Sequence, residues 1–167
     1  NVLCNLYIGD RVTKINEAAF KNHYALQSVS MNKGVTVLGK GCFSSSTIEF
    51  MTVPNGVNAI PDTVFNSCQR LRRVSVPVSV QSLGPYFLYN TPVLKNVHVN
   101  ASITIIPPYF CGSCAGLERA VFYGKIETLQ GVVLGGIYSL KTIDLTHCEA
   151  IPTLQNASSF DGASQGL

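Results

Sequence analysis

Ile60-Pro61-Asp62-Thr63-Val64-Phe65-Asn66-Ser67-Cys68-Gln69-Arg70-Leu71-Arg72-Arg73-Val74-Ser75-Val76-Pro77 decides the fold, because its pattern recurs along the chain. Its heading residue, Phe65, belongs to the evenly spaced series Phe20, Phe43, Phe65, Leu88, Cys111 and Leu134, in which only the step from Phe43 to Phe65 is one position short. After Phe65 come Leu71, Val74, Val76, Val80 and Leu83. At the same offsets Phe20 is followed by Leu26, Val29, Met31, Val35 and Leu38, and Leu88 by Leu94, Val97, Val99, Ile103 and Ile106. A period in the twenties makes each unit one turn of a solenoid, too small to bury its own apolar face and stable only when stacked on its neighbours.

The other units vary this ladder in readable ways. After Phe43 the pattern arrives one residue early, as Ile48, Met51, Val53, Val57 and Ile60, so the deletion lies in Ser44-Ser45-Ser46-Thr47. Cys111 leads Leu117, Ala120, Phe122, Ile126 and Leu129. Leu134 leads Leu140, Ile143 and Leu145 before register is lost around Thr146-His147-Cys148-Glu149. Upstream, Leu3, Leu6, Ile8, Val12 and Ile15 form the tail of a unit without its head.

Within a unit, Leu-x-x-Val-x-Val alternates with period two and is rich in β-branched residues, which predicts a short strand. Pro54 and Pro77 follow two such strands and stop them, since proline cannot donate to the next ladder bond. An extended run then leads to a Pro- or Gly-containing corner such as Leu83-Gly84-Pro85. One strand per turn requires parallel pairing, and six turns at roughly 4.8 Å each make a body about 30 Å long.

The pattern Ile-Pro-x-x-x-Phe-x-x-Cys-x-x-Leu-x-x-Val-x-Val-Pro of residues 60–77 resembles the BspA-like leucine-rich repeat, and the likeness extends from about Leu3 to Leu145. The resemblance implies an α/β leucine-rich-repeat solenoid: short parallel strands, one main strand per turn of about 23 residues, and a few short helical turns. It also implies a noncatalytic, adhesion-type module of a larger surface or secreted protein, binding a protein or a glycan, with no cofactor and no family-wide catalytic residues. Extracellular or cell-surface localisation follows from the same likeness. Two departures stand out: the usual aromatic head is Leu or Cys in three units, and Phe160 stands further beyond Leu134 than one period allows.

The expected domain organisation is a solenoid of about six turns over residues 1–155, starting mid-repeat, and a degenerate last repeat, linker or tail over 156–167. With 167 residues, 46% hydrophobic and only 13% charged, the chain can bury a substantial core. The uncharged part of 74–94 contains Pro77, Gly84, Pro85, Asn90 and Pro92 and follows the repeat ladder, so no membrane span is expected. Position 1 is Asn and no signal peptide is visible. The expectation is therefore a piece of a larger protein, with an uncapped repeat end through which it could self-associate.

Six cysteines include one C-x-x-C, Cys111-Gly112-Ser113-Cys114. Cys111 occupies a heading position and Cys114 and Cys68 share the third position after it, which favours buried small hydrophobes over a zinc or redox pair. No second C-x-x-C or H-x-x-x-H supplies further ligands, and no metal is expected. His23, His98 and His147 fall in different turns, with no phosphate loop, nucleophile elbow or carboxylate pair beside them, so no enzyme is expected. The sequons at Asn100 and Asn156 would be used only in a eukaryotic secretory route.

The outward strand positions stack into columns: Ser30, Thr52, Ser75, His98, Val121 and Asp144 in one, and Ser28, Phe50, Arg73, Asn96, Arg119 and Thr142 in the next. A third holds Gln27, Glu49, Arg72, Lys95, Glu118 and Lys141. Residues 70–141 carry a net charge of +5 and residues 142–167 a net of −3. The candidate ligand-binding residues are therefore Arg72, Arg73, Ser75, Lys95, Asn96, His98, Arg119 and Lys141. Their expected partner is a host or matrix protein or an acidic glycan, drawn in by clustered charge. Nucleic acid is not expected, because a pI near 8.6 is mild and no aromatic stacking motif is interleaved with the basic residues. The alternative is a structural spacer whose charges only keep a solenoid face solvated.

Overall fold

The computed structural model describes residues 3–99, 103–149 and 153–154. The sequons at Asn100 and Asn156, and the expected tail over 156–167, lie outside the described residues. Each turn lays down a main strand and then a two-residue second strand. In chain order these are β1 (Asn5–Ile8) and β2 (Lys14–Ile15), β3 (Ser28–Met31) and β4 (Val37–Leu38), β5 (Phe50–Thr52) and β6 (Ala59–Ile60), and β7 (Arg73–Ser75) and β8 (Ser82–Leu83). The series continues with β9 (Asn96–Val99) and β10 (Ile105–Ile106), β11 (Arg119–Gly124) and β12 (Thr128–Leu129), and β13 (Thr142–Cys148) and β14 (Thr153–Leu154). All pairings among the described residues are parallel, as one strand per turn demands. Among these residues no helix is long and apolar enough to cross a membrane.

The expected helical turns are absent: among the described residues there is no helix, so the solenoid is all-β rather than α/β. Backbone conformation at the corners explains why. Two residues before the heading position, Ala18, Thr63, Tyr86 and Tyr109 have φ of 52–58°, and two residues after it Asn22, Ser45, Ser67, Asn90 and Ser113 have φ of 56–62°. A left-handed residue cannot propagate a right-handed helix, so every corner closes as tight turns. The later position is filled by Asn22, Asn90 and Gly136, residue types suited to that conformation, and in three turns by Ser.

The repeat ladder forms one continuous core running from Ile15 to Leu140. Its aromatic column is more regular than the heading residues suggest. Phe20, Phe43 and Phe65 stack at 5.6 and 5.8 Å between centroids, and the column then passes to Phe87 and Phe110, at 5.6 and 5.8 Å, one position ahead of Leu88 and Cys111. The aromatic head is thus displaced in these two turns, not lost. Both Phe87 and Phe110 are fully buried.

The buried thiols have local partners in this core. Cys68 Sγ donates to the Phe43 carbonyl at 3.2 Å and lies 3.5 Å from the Ser46 hydroxyl. Two turns further on, Cys114 Sγ donates to the Leu88 carbonyl at 3.0 Å and lies 3.1 Å from the Thr91 hydroxyl. Ser46, Cys68, Thr91 and Cys114 therefore form a single column of small polarizable groups, in which each thiol satisfies a carbonyl of the preceding turn. Cys111 Sγ sits 3.1 Å from Cys114 Sγ, and among the described residues no three His, Cys, Asp or Glu side chains gather around a common point. Burial pushes the Cys42 thiol up to about 12 and the Cys68 thiol up to about 11, and raises Cys111 as well.

Register slips where the sequence loses its pattern. Val121 faces Asp144, but Tyr123 faces His147, a bulge that inserts one extra residue into β13. By the second strand Leu129 faces Leu154, a longer step along the chain than the one from Ile15 to Leu38 or from Ile60 to Leu83.

Candidate functional site

The outward columns exist as expected. Asn5, Ser28, Phe50 and Arg73 stand in register across β1, β3, β5 and β7, and Asn96, Arg119 and Thr142 across β9, β11 and β13. Arg72, Arg73, Ser75, Lys95, Asn96, His98, Arg119 and Lys141 are all exposed. Two positions of the first column depart: Val121, placed outward by the alternation, is only 1% exposed, and the Asp144 side chain next to it is only 13% exposed. The face also has an apolar end, with Tyr7 and Phe50 exposed beside the serines and threonines of β3 and β5.

Most of the basic side chains are neutralised across turns. Glu118 receives Lys95 Nζ at 2.6 Å and Lys141 Nζ at 2.7 Å, and Arg119 reaches Asp144 at 2.7 Å. Hydrogen bonds from Lys141 and Lys95 hold the Glu118 carboxyl down at about 2. Hydrogen bonds from Thr146 and then Arg119 bring Asp144 to about 2 as well. Arg72 contacts Glu49 more loosely, at 3.7 Å, and Arg73 forms no ion pair among the described residues. Among the described residues the cations of 70–141 without an ion pair are thus Arg70 and Arg73, with Arg72 only loosely held.

Arg72 and Arg73 stand at a break in the sheet. The main strands form two sheets, β1-β3-β5-β7 and β9-β11-β13, joined among the described residues only by the bridge Val76↔Val99. At the entry to other main strands the amide of one turn bonds the carbonyl of the turn before, as Arg72 N–H does with Glu49 (2.8 Å) and Glu118 N–H with Lys95 (2.9 Å). The corresponding bond from Lys95 to Arg72 is missing. The second strands also part at this step, as they do between β4 and β6, since β8 pairs with β6 and β10 with β12. The heading corners remain bonded: Phe65 N–H donates to Phe87 O at 3.1 Å and Ser67 N–H to Tyr89 O at 2.8 Å.

The third outward column has its like-charged step at the break. Glu49/Arg72, Lys95/Glu118 and Glu118/Lys141 are opposite charges on adjacent turns; Arg72/Lys95 is the one like-charged step. Like charges directly opposite destabilise a strand pair. Here Arg72 pairs back with Glu49 and Lys95 forward with Glu118, so no ion pair spans the step. This signal is present in the sequence, in the alternation of charge along a column, but it becomes legible only when adjacency is read as electrostatics and not as net charge.

The parted strands enclose a cleft of about 390 Å³ lined by Arg72, Arg73, Val74, Ser75, Val76, Asn96 and His98. Five of the eight predicted site residues meet there. Lys95, Arg119 and Lys141 do not line it and belong to the neutralised network beside it. A second opening of about 530 Å³, between β3 and β5, has a different origin: these strands share only the pair Ser28↔Phe50, at the turn shortened by one residue.

The fold has counterparts among solved structures. A leucine-rich repeat protein from Bacteroides ovatus superposes with a TM-score of 0.71 at 24% identity over 81% of this chain, and one from Eubacterium ventriosum with 0.61 at 20% identity over 95%. The chain spans 41% and 42% of their respective lengths. None of the curated proteins compared with the chain matches it. The family model for the BspA type leucine rich repeat region matches residues 2–118 and 36–161, in six copies. With the parallel solenoid and its repeating core, that match shows that this chain belongs to the BspA-type leucine-rich repeat family.

Proposed function

We propose that the chain is a noncatalytic recognition module of a surface or secreted protein, and that its exposed parallel sheet meets a protein or a glycan. The observation that carries this reading is the concentration of uncompensated polar groups at one place on an otherwise paired face. Arg73, Ser75, Asn96 and His98 are exposed, adjacent and outside the cross-turn ion-pair network. BspA-type repeats are a nonenzymatic repeat family, which supports a binding or structural module.

A test is binding to an array of matrix proteins and sulfated glycans at two salt concentrations, beside an Arg72→Ala, Arg73→Glu, Arg119→Ala variant. Charge reversal is confined to Arg73 because a carboxylate at 72 or 119 would face Glu49 or Asp144. Salt-sensitive binding by the parent and its loss in the folded variant are expected. The spacer reading draws on the same ion pairs: the Lys95–Glu118–Lys141 network fits charges that serve cohesion between turns. Absence of binding by the parent would favour that reading.

A further inference from the structure

Alternation along a parallel strand sends the backbone groups of successive residues to opposite neighbours. Arg73 N–H bonds Glu49 O and the Ser75 carbonyl accepts from Val53 N–H, so both face β5. Val74 therefore turns its N–H and C=O toward β9. On the other side, the Lys95 carbonyl accepts from Arg119 N–H and faces β11, so the backbone groups of Asn96 and His98 turn toward β7. Because the ladder between β7 and β9 is missing, the Val74 and Asn96 backbone groups and the His98 N–H line the cleft walls, whereas the His98 carbonyl accepts from Val76 N–H at the Val76↔Val99 bridge. Polar backbone left without protein partners must find them in water or a ligand.

The chemistry of the occupant follows from what converges there. The cleft is lined by Arg73, by Arg72, whose guanidinium is shared with Glu49, by backbone donors and acceptors, and by Ser75 and Asn96. Arginine forks suit sulfate or carboxylate, while mixed donors and acceptors suit the hydroxyls of a sugar. An extended peptide intercalating as an extra strand would have to run past both ends, and the Val76↔Val99 bridge closes one of them. At about 390 Å³ the space exceeds that of one small oxyanion and has the size of a small-molecule site.

We propose that the split between β7 and β9 is a binding site for an acidic saccharide, with Arg72 and Arg73 on its sulfate or carboxylate group and Val74, Ser75, Asn96 and His98 on its hydroxyls. The proposal rests on the recognition reading above and names the site and ligand class within it. The like-charged Arg72/Lys95 step keeps the site open.

The test is an NMR titration of the whole chain, ¹⁵N-labelled, with a chondroitin sulfate tetrasaccharide, its desulfated form, inorganic sulfate and an oligoglutamate peptide. The sulfated tetrasaccharide should shift the amides of Val74, Asn96 and His98 first, and the desulfated form should bind more weakly. Arg73→Ala should weaken the sulfated tetrasaccharide about tenfold, as expected for loss of a charged hydrogen bond, and Lys141→Ala less than about twofold. Shifts confined to Arg119 and Thr142, with Arg73→Ala unaffected, would sink the cleft but leave recognition by the face standing. Inorganic sulfate binding as tightly as the tetrasaccharide would overturn the saccharide assignment, and so would stronger binding of oligoglutamate at the same amides. If no probe binds, the cleft assignment fails, and the wider reading is decided by the array.

Discussion

Phe87 and Phe110 show how a single side chain can keep a repeat intact while leaving its expected position. Each lies one residue ahead of the heading position, yet its ring continues the stack begun by Phe20, Phe43 and Phe65. Removing a fully buried phenyl leaves a cavity the solenoid cannot collapse around, so Phe87→Ala should cost about 3–5 kcal/mol in urea denaturation, as much as Phe65→Ala. A much smaller loss at Phe87 would mean that Leu88 is the true column residue. The cysteines are the second residue-scale matter. Cys42, Cys68, Cys111 and Cys114 are buried, with the first three thiols shifted up by that burial. At pH 8 a thiol reagent such as dithionitrobenzoate should therefore titrate at most Cys4 and Cys148 in the folded protein, and all six only after denaturation. Rapid labelling of a third or fourth thiol would contradict the packing of the column.

At the scale of the element, β7 and β9 illustrate that strand propensity does not guarantee a ladder. Val74 and Val97 are buried as the alternation requires and stand one full period apart, yet the pair does not form, at the step where Arg72 and Lys95 follow one another in the third column. Lys95→Gln removes the like-charged step and leaves Glu118 paired to Lys141. Amide exchange at Asn96 should slow by about two- to fivefold, the equivalent of one repulsive cross-strand pair. Unchanged exchange would show that the break has another cause. The same elements show what strand alternation can and cannot say about exposure. Alternation placed Arg73, Ser75, Asn96 and His98 at exposed positions, but it also placed Val121 outward, where the side chain is buried. A period-two rule reports direction, whereas exposure depends on the packing around each side chain.

For the whole molecule, the coincident breaks of the main and second strands divide the solenoid into two blocks held by the corners and the continuous core. Acid should affect the blocks unequally. Glu118 and Asp144, both with folded values near 2, lie in the β9–β13 block, and an unfolded carboxylate titrates near roughly 4. Their stabilising effect is complete above about pH 5 and is lost as pH falls toward 2. Between these limits amide protection factors, taken against the intrinsic exchange rate at each pH, should fall earlier in β9, β11 and β13 than in β3, β5 and β7; uniform loss of protection would refute the division. Sequence alone determined the solenoid, its turn length, the parallel strands and the outward columns, because stacking similar units converts a linear period directly into spatial adjacency. Tertiary structure decided the rest. Left-handed corners excluded the expected helical turns, the aromatic column moved to Phe87 and Phe110, and the basic face resolved into paired charges with one open step. These depend on backbone dihedrals, on where a ring comes to rest, and on which of two neighbours a charged side chain pairs with, quantities that a repeat period does not contain.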